Sequence, residues 1–290
     1  MTLIELVNQS AARLEAAGVA FGHGTTNAFD EAAWLVLWSL GLPLDDLDGV
    51  AEMALAPQQR ASVEELVGER IASRKPAAYL TREAWLQGVP FYVDERAIVP
   101  RSLIAELVAG GDLDPWFGGA GRVLDLCTGN GSLAVLAALA WPEAGVVGAD
   151  ISPEALAVAR INVEKHQLQE RVALVESDGL DAVVGRFDLI LCNPPYVNAA
   201  SMAQLPAEFR AEPALALAGG ADGMDFVRQL LREAPAHLHP DAVLVLEIGH
   251  ERAHFEDAFP QLPAVWLETS AGGDQVLLLP REALMDGRLP

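Results

Sequence analysis

Basic residues are scarce in this chain compared with acidic ones. Its 290 residues include 19 Lys and Arg but 41 Asp and Glu, which gives a formal net charge of −22 at pH 7. A surface of that sign repels phosphate backbones and anionic lipid headgroups. We therefore expect no stable nucleic-acid partner and no attachment to a membrane surface, whereas a basic protein is a compatible partner.

Cysteines and long apolar runs are also scarce. Cys127 and Cys192 are the only cysteines, too few for a disulfide framework, and no CxxC pair indicates a structural metal site. The longest strongly apolar run, 133–141, is well short of the roughly twenty residues that span a bilayer. The N-terminus lacks the basic start of a signal peptide. We expect a cytoplasmic protein that binds no metal.

The first hundred residues have helical patterns. Apolar residues recur at helical spacing over 3–17 and 57–73, and a further helix begins after Asn27 and stops at Gly41. We predict a helical domain over residues 1–82. Residues 83–101 follow as a linker with strand-forming residues on both sides of a possible turn at 94–96, which predicts a hairpin.

The remaining chain, 102–290, alternates short strands with helices. This order is typical of an α/β fold with a doubly wound parallel sheet. The last two strand candidates, 263–269 and 274–280, are close enough in sequence to form an antiparallel pair. In such a sheet, ligands bind at the carboxyl ends of the strands where the strand order reverses.

Two strand ends carry the pattern of a nucleoside-binding site. Gly129, Gly131 and Ala134 form G-x-G-x-x-A after the strand 122–126, where glycine allows a tight turn and close approach of a ligand. The next strand ends in Asp150, which is placed to accept hydrogen bonds from ribose hydroxyls. This pattern alone fits both NAD and S-adenosylmethionine.

A further strand ends in Asn193-Pro194-Pro195-Tyr196. An amide nitrogen is a poor nucleophile because its lone pair is delocalised. The Asn193 side-chain oxygen and the Pro194 carbonyl can each accept one N–H of such a group, and the Tyr196 ring can stack on its plane. Methyl transfer to the held nitrogen depends on positioning more than on acid–base help.

In this order and spacing, DLCTGNG, GADIS and NPPYV resemble the class I S-adenosylmethionine-dependent methyltransferases. With a helical N-terminal domain, NPPY is similar to the HemK family of protein-glutamine methyltransferases. The segments 21–32, 76–102 and 193–226 resemble the branch that methylates the third protein of the large ribosomal subunit. The resemblance implies a seven-stranded sheet and S-adenosylmethionine as cofactor.

The resemblance also implies roles for individual residues. It assigns the turn to the methionine part of the cofactor, Asp150 to the ribose and Asp178 to the adenine, and it places the inter-domain segment near the cofactor. The catalytic residues it implies are Asn193, Pro194, Pro195 and Tyr196. The cofactor contacts it implies are Asp125, Cys127, Thr128, Gly129, Gly131, Asp150, Ile151, Asp178, Asn193 and Arg101.

Other functions remain open at this point. An NAD-dependent oxidoreductase accounts for the glycine turn but not for NPPY, and a DNA amino-methyltransferase accounts for NPPY but not for the negative charge. A binding protein without catalysis needs no Asn193. Within the family, a release factor is the alternative substrate. The long connection 197–223 is predicted to form a wall of a peptide-binding groove.

Overall fold

The structure is a computed structural model that describes residues 1–285. The predicted last domain extends over 286–290, which lie outside the described residues. The N-terminal part contains five helices and a two-stranded sheet. These elements are α1 (Leu3–Ala16), α2 (Ala28–Leu40), α3 (Leu47–Val50), α4 (Pro57–Ser73), α5 (Ala77–Thr81), β1 (Glu83–Leu86) and β2 (Val89–Tyr92).

The predicted helices begin and end where the sequence signals lie. The Asn27 side chain accepts a hydrogen bond from the Asp30 amide at the start of α2. Gly41 takes a left-handed conformation, with φ 64°, directly after the helix. These are the usual devices that satisfy free backbone groups at helix ends. The apolar faces of α1, α2 and α4 meet in one core.

The hairpin lies in the predicted linker, but its turn was predicted at the wrong place. β1 pairs with β2 from Glu83–Tyr92 to Leu86–Val89, so the turn is Gln87-Gly88 rather than 94–96. Both turn residues have positive φ, 50° and 73°, as a tight two-residue hairpin requires. Residues 94–97 form a separate turn outside any strand, in which the Ala97 amide donates to the Asp94 carbonyl at 3.1 Å.

The rest of the described chain forms the α/β unit. Its helices are α6 (Ile104–Gly110), α7 (Ser132–Ala140), α8 (Pro153–Lys165), α9 (Ala199–Gln204), α10 (Ala207–Arg210), α11 (Asp225–His237), α12 (Arg252–Ala258) and α13 (Arg281–Met285), with a 3₁₀ turn at Ala214–Ala216. Its strands are β3 (Ala120–Leu126), β4 (Glu143–Asp150), β5 (Val172–Glu176), β6 (Phe187–Cys192), β7 (Leu238–Glu247), β8 (Val265–Thr269) and β9 (Gly272–Pro280).

These strands form one seven-stranded sheet in the order β5-β4-β3-β6-β7-β9-β8. The first five are parallel, while β9 runs antiparallel to both β7 and β8. The predicted seven strands and antiparallel last pair are therefore confirmed. The turn between β8 and β9 is at residues 270–271, and both Gly272 and Gly273 belong to β9.

Both faces of the sheet are covered. On β6, Leu189 and Leu191 pack into the core on one face, whereas Ile190 and Cys192 pack into the core on the other. This alternation follows from the two-residue period of a strand, and apolar side chains on both faces are typical of a doubly wound sheet. In the described chain, 1–285, no helix has the length and apolar character needed to cross a bilayer.

Candidate functional site

A cavity of about 350 Å³ opens at the carboxyl ends of β3, β4 and β6. β3 has β4 on one side and β6 on the other, so the helical connections leave in opposite directions here. Crevices for ligands form at such a switch point. The far wall of the cavity comes from residues 213–220, and its two ends are formed by residues 96–98 and by the start of α11.

The turn between β3 and α7 forms the floor of the cavity. Cys127 and Gly129 line it, with φ of 61° and 55°. Gly131 does not line it, but a Cβ there would lie 3.0 Å from the Cβ of Ala159 in α8. The first glycine thus shapes the turn, and Gly131 lets the two helices approach each other closely.

Asp125 and Thr128 lie behind this turn and do not line the cavity. The buried Asp125 carboxylate accepts hydrogen bonds from the Thr128 hydroxyl and, at 2.9 Å, from the Ala134 amide. Burial raises the pKa of Asp125 to about 7. The two residues therefore fix the shape of the turn from below.

Asp150 lines the cavity at the end of β4, next to Ile151. Its carboxylate accepts hydrogen bonds from the Gly129 amide at 2.8 Å and the Ser152 amide at 2.9 Å, one on each oxygen. Each oxygen keeps lone pairs for a further donor. Burial raises the pKa of Asp150. This acid is placed to accept hydrogen bonds from ligand hydroxyls, and its contact with a ribose stays a prediction.

Asp178 lies at one end of the same cavity, beside Phe226 and Gln229 of α11. The exposed Ile151 and Leu215 side chains also line it. A planar apolar group with polar edges, such as a nucleobase, fits an opening with this lining. The cavity thus has the glycine turn, the acids and the apolar walls that S-adenosylmethionine needs.

Asn193 and Pro195 line the cavity opposite the glycine turn. The Asn193 carboxamide makes no hydrogen bond to any residue within 1–285, so its oxygen and its amide hydrogens are available to a ligand. Pro194 is buried between them and is not part of the lining. The Asn193 side chain therefore has the free oxygen that it needs to accept an N–H from a ligand amide.

Tyr196 is held against three glycines rather than on the cavity surface. A Cβ on Gly219 would lie 2.7 Å from the Tyr196 Cα, and a Cβ on Gly249 would lie 2.5 Å from its ring. A Cβ on Gly223 would likewise collide with the Tyr196 carbonyl oxygen. These glycines allow the chain of 219–223 to lie directly on the NPPY turn.

Glu247, which no sequence signal singled out, supports the same turn. Its carboxylate accepts hydrogen bonds from the Ser102 hydroxyl at 2.6 Å and the Leu103 amide at 2.9 Å, and lies 3.5 Å from the Tyr196 hydroxyl. Burial raises the pKa of Glu247. Through this buried group, the end of β7 connects the NPPY turn to the start of α6.

The connection 197–223 is ordered into α9, α10 and the 3₁₀ turn, and it is anchored by a buried carboxylate. Glu212 accepts two hydrogen bonds from Arg101, at 2.6 and 2.7 Å, and one from the Val99 amide at 2.9 Å. His23 lies 3.4 Å from its second oxygen. Pro213, the next residue, lines the cavity.

A second buried carboxylate in this connection reaches the helical part. Glu208 lies 2.7 Å from Arg74 and 3.4 Å from the buried Arg70, which also pairs with Glu31 at 2.9 Å. Nothing in the sequence of the connection 197–223 indicates that Glu208 and Glu212 pair with arginines. The anchored connection therefore joins α2 and α4 to the wall of the cavity.

Arg101 does not line the cavity, although the resemblance implies that it contacts the cofactor. Its guanidinium is committed to Glu212 and to the Val99 carbonyl. Val99 and Phe91, from the same segment, are buried.

Within residues 1–285, no group of three His, Cys, Asp or Glu residues is arranged to hold a metal ion.

Comparisons with known proteins give a consistent picture. The family model described as "Methyltransferase small domain" matches residues 113–222. Proteins named ribosomal protein uL3 glutamine methyltransferase are similar over nearly the whole chain. The Bordetella pertussis protein is 54% identical, covering 98% of this chain and 96% of its own length. The Burkholderia pseudomallei protein is 52% identical, covering 96% and 94%.

The same name belongs to a Neisseria meningitidis protein that is 46% identical over 98% of this chain and 94% of its own. Among solved structures, the hMettl16 catalytic domain superposes with a TM-score of 0.53 at 13% identity, covering 77% of this chain and 81% of that one. At this identity the likeness concerns the fold alone, which is a methyltransferase fold.

Proposed function

Because this chain belongs to the family of ribosomal protein uL3 glutamine methyltransferases, we propose that it methylates a glutamine side-chain nitrogen of uL3 with S-adenosylmethionine as donor. The observation that carries the proposal is Asn193, whose carboxamide lines the cavity without a partner among the described residues. It follows a strand end and faces a glycine turn, as an amide-holding group beside a cofactor must.

The substrate amide is held by two acceptors in this proposal. The Asn193 oxygen accepts one N–H and the Pro194 carbonyl accepts the other, which shifts electron density onto nitrogen. Tyr196, fixed by Gly219, Gly249 and Glu247, keeps the turn in place. S-adenosylmethionine supplies an electrophilic methyl group on sulfonium sulfur. In the transfer, the N–C bond would form as the S–C bond breaks, the sulfur would leave as a thioether, and the nitrogen would release its extra proton to water.

The residues that would hold the cofactor divide into contacts and supports. Asp150 accepts the ribose hydroxyls, Asp178 lies at the adenine end, and Ile151 packs on the base. Cys127 and Gly129 lie along the methionine part. Asp125, Thr128 and Gly131 act from behind the turn, and Arg101 acts through Glu212 rather than by contact.

The division of labour follows the chain. Residues 1–82 recognise the protein substrate, 83–101 link the two parts and 102–290 carry out the transfer. A net charge of −22 favours a basic substrate such as a ribosomal protein and disfavours stable nucleic-acid binding. The protein acts in the cytoplasm, where ribosomal proteins are synthesised.

The test is methyl transfer from labelled S-adenosylmethionine to purified uL3, to a release factor and to DNA in parallel. Label is expected in uL3, and Asn193→Ala should abolish it. Gln169→Ala removes an exposed carboxamide between α8 and β5, outside residues 1–82 and outside the cavity, and serves as the matched control. Label in the release factor or DNA but not in uL3 would refute the substrate, and full activity of Asn193→Ala would refute the catalytic role.

A further inference from the structure

A second cavity, also about 350 Å³, lies in the helical part of the molecule. It is enclosed by α2, the segment 42–47 and the first strand of the hairpin. We call it the aromatic cleft. None of its lining residues also lines the methyl-transfer cavity. The large apolar side chains of its lining include Phe29, Trp34, Leu44, Leu47 and Trp85.

Large apolar side chains at this cleft are open to solvent. Trp85 is 46% exposed and Phe29 is 40% exposed, although both belong to regular elements with cores available to them. Contiguous exposed apolar surface in a concave site is typical of a protein or ligand interface. Tryptophan is enriched among the few residues that carry most of the binding energy where proteins meet.

The cleft has a rim of one charge. Asp30 lines it, and the exposed Asp45, Asp46 and Asp48 alternate with Leu44 and Leu47 along the segment that encloses it. Glu83 accepts a hydrogen bond from the Trp85 indole at 2.7 Å. Neither Lys nor Arg is among the described residues that line the cleft. An occupant is therefore expected to combine apolar and basic residues.

We propose that the aromatic cleft docks a segment of the protein substrate in which one or two large apolar side chains are flanked by Lys or Arg. The apolar side chains fill the space between Phe29, Trp34 and Trp85. The flanking cations pair with the acidic rim, and an Arg can also stack on the exposed indole. The choice of a basic protein as occupant rests on the proposed function.

The cleft is in contact with the element that walls the methyl-transfer cavity. His23 lines the cleft, its ring lies 4.2 Å from that of Phe209, and its Nε2 lies 3.4 Å from Glu212. Pro213 and the 3₁₀ turn follow directly and line the other cavity. Docking and methyl transfer thus take place on two sides of one anchored connection.

The first experiment measures binding and catalysis separately in the full chain. Affinity for purified uL3 is measured by fluorescence anisotropy, and methylation is measured on uL3 and on a short peptide containing its target glutamine. Phe29→Ala and Trp85→Ala should weaken uL3 binding and raise its KM by about tenfold or more, as for interface aromatics. Peptide methylation and cofactor affinity should stay at wild-type values, which also shows that the variants fold.

The matched control is Trp116→Ala, which removes a tryptophan that is 39% exposed outside the cleft and should leave every value unchanged. Wild-type uL3 affinity in both cleft variants would overturn the proposal. If uL3 binds through the cleft but is not methylated, the proposed function fails while the docking site stands. If uL3 is methylated and neither cleft variant changes its affinity, the docking site fails while the proposed function stands.

Charge reversal tests the choice of partner. Asp45→Lys with Asp48→Lys should slow uL3 association and flatten its dependence on salt, because the rim attracts the basic segment. Asp257→Lys with Glu170→Lys, at two exposed acids away from the cleft, reverses the same number of charges and is the control. Equal losses in the two cases would mean that only net charge matters, which contradicts a specific basic flank at this rim.

Discussion

Glu212 offers a quantitative test of how the two parts of the molecule are held together. Burial would raise the pKa of this carboxyl, but the nearby His23 and the charge and hydrogen bonds of Arg101 outweigh burial and lower it from 4.5 to about 2. With about 1.36 kcal/mol for each pH unit by which a pKa moves, the ionised form is favoured in the folded chain by about 3 kcal/mol.

Glu212→Gln should therefore lower the free energy of unfolding by about 3 kcal/mol at pH 7, because it leaves the Arg101 guanidinium without a counter-charge. The contribution is complete above the ordinary pKa of 4.5 and is lost as the pH falls through about 2. At pH 3 the difference between wild type and variant should shrink to less than half of its value at pH 7.

The assay is urea unfolding followed by tryptophan fluorescence at both pH values. Glu256→Gln is the matched control, since it breaks an exposed pair with Arg252 at 2.8 Å and should cost less than about 1 kcal/mol. A Glu212→Gln variant as stable as this control, or a difference independent of pH, would refute the reasoning. Cofactor affinity should fall in Glu212→Gln and stay unchanged in Glu256→Gln, because Pro213 and Leu215, which follow Glu212, line the cavity.

Three further perturbations probe the cavity. Asp150→Ala should weaken S-adenosylmethionine binding by about 1.5–3 kcal/mol in calorimetry, the range for hydrogen bonds to a charged acceptor, and an unchanged Kd would contradict the ribose assignment. Asp125→Asn should gain stability relative to wild type as the pH rises from 4 to 8, which thermal unfolding measures. The reason is that ionising the buried Asp125 costs the wild type stability, beginning above the ordinary pKa of 3.8 and reaching its full extent above about 7. Parallel stability curves for the two proteins would contradict this. Gly219→Ala should reduce methyl transfer by pressing on the Tyr196 backbone, whereas Gly145→Ala, with open space around its Cβ, should not; equal rates would contradict the close packing.

The parts of the fold that sequence predicts well are those governed by local rules. Capping by Asn27 and Gly41 fixes α2, and the continuous apolar runs indicate a sheet buried on both faces. The seven-stranded fold and the glutamine methyltransferase family were both predicted from short motifs and are confirmed. Asn193 and Asp150 line the cavity because motifs at strand ends necessarily meet at one edge of a parallel sheet.

The parts that sequence did not predict depend on distant partners. Glu208 and Glu212 are ordinary acids in a chain with 41 of them, and only the fold shows that their side chains are buried against arginines. Arg101 was assigned to the cofactor because its segment approaches the cavity, yet its partner lies 111 residues away. The hairpin turn lies at Gln87-Gly88 and not at the more polar residues 94–96, because a tight two-residue turn requires the positive φ that Gly88 adopts readily.

The buried acids explain how one connection can link the helical part to the wall of the methyl-transfer cavity. Burying a charge is costly unless it is paired, so Glu208 and Glu212 permit essentially one placement of 207–212 against Arg70, Arg74 and Arg101. From that fixed placement the chain continues through the cavity wall to Gly219, which lies on the NPPY turn. Any displacement of the helical part must therefore reach the NPPY turn, which we propose holds the substrate amide. A substrate bound at the aromatic cleft consequently meets a methyl-transfer cavity whose position relative to the cleft is set by two ion-paired carboxylates.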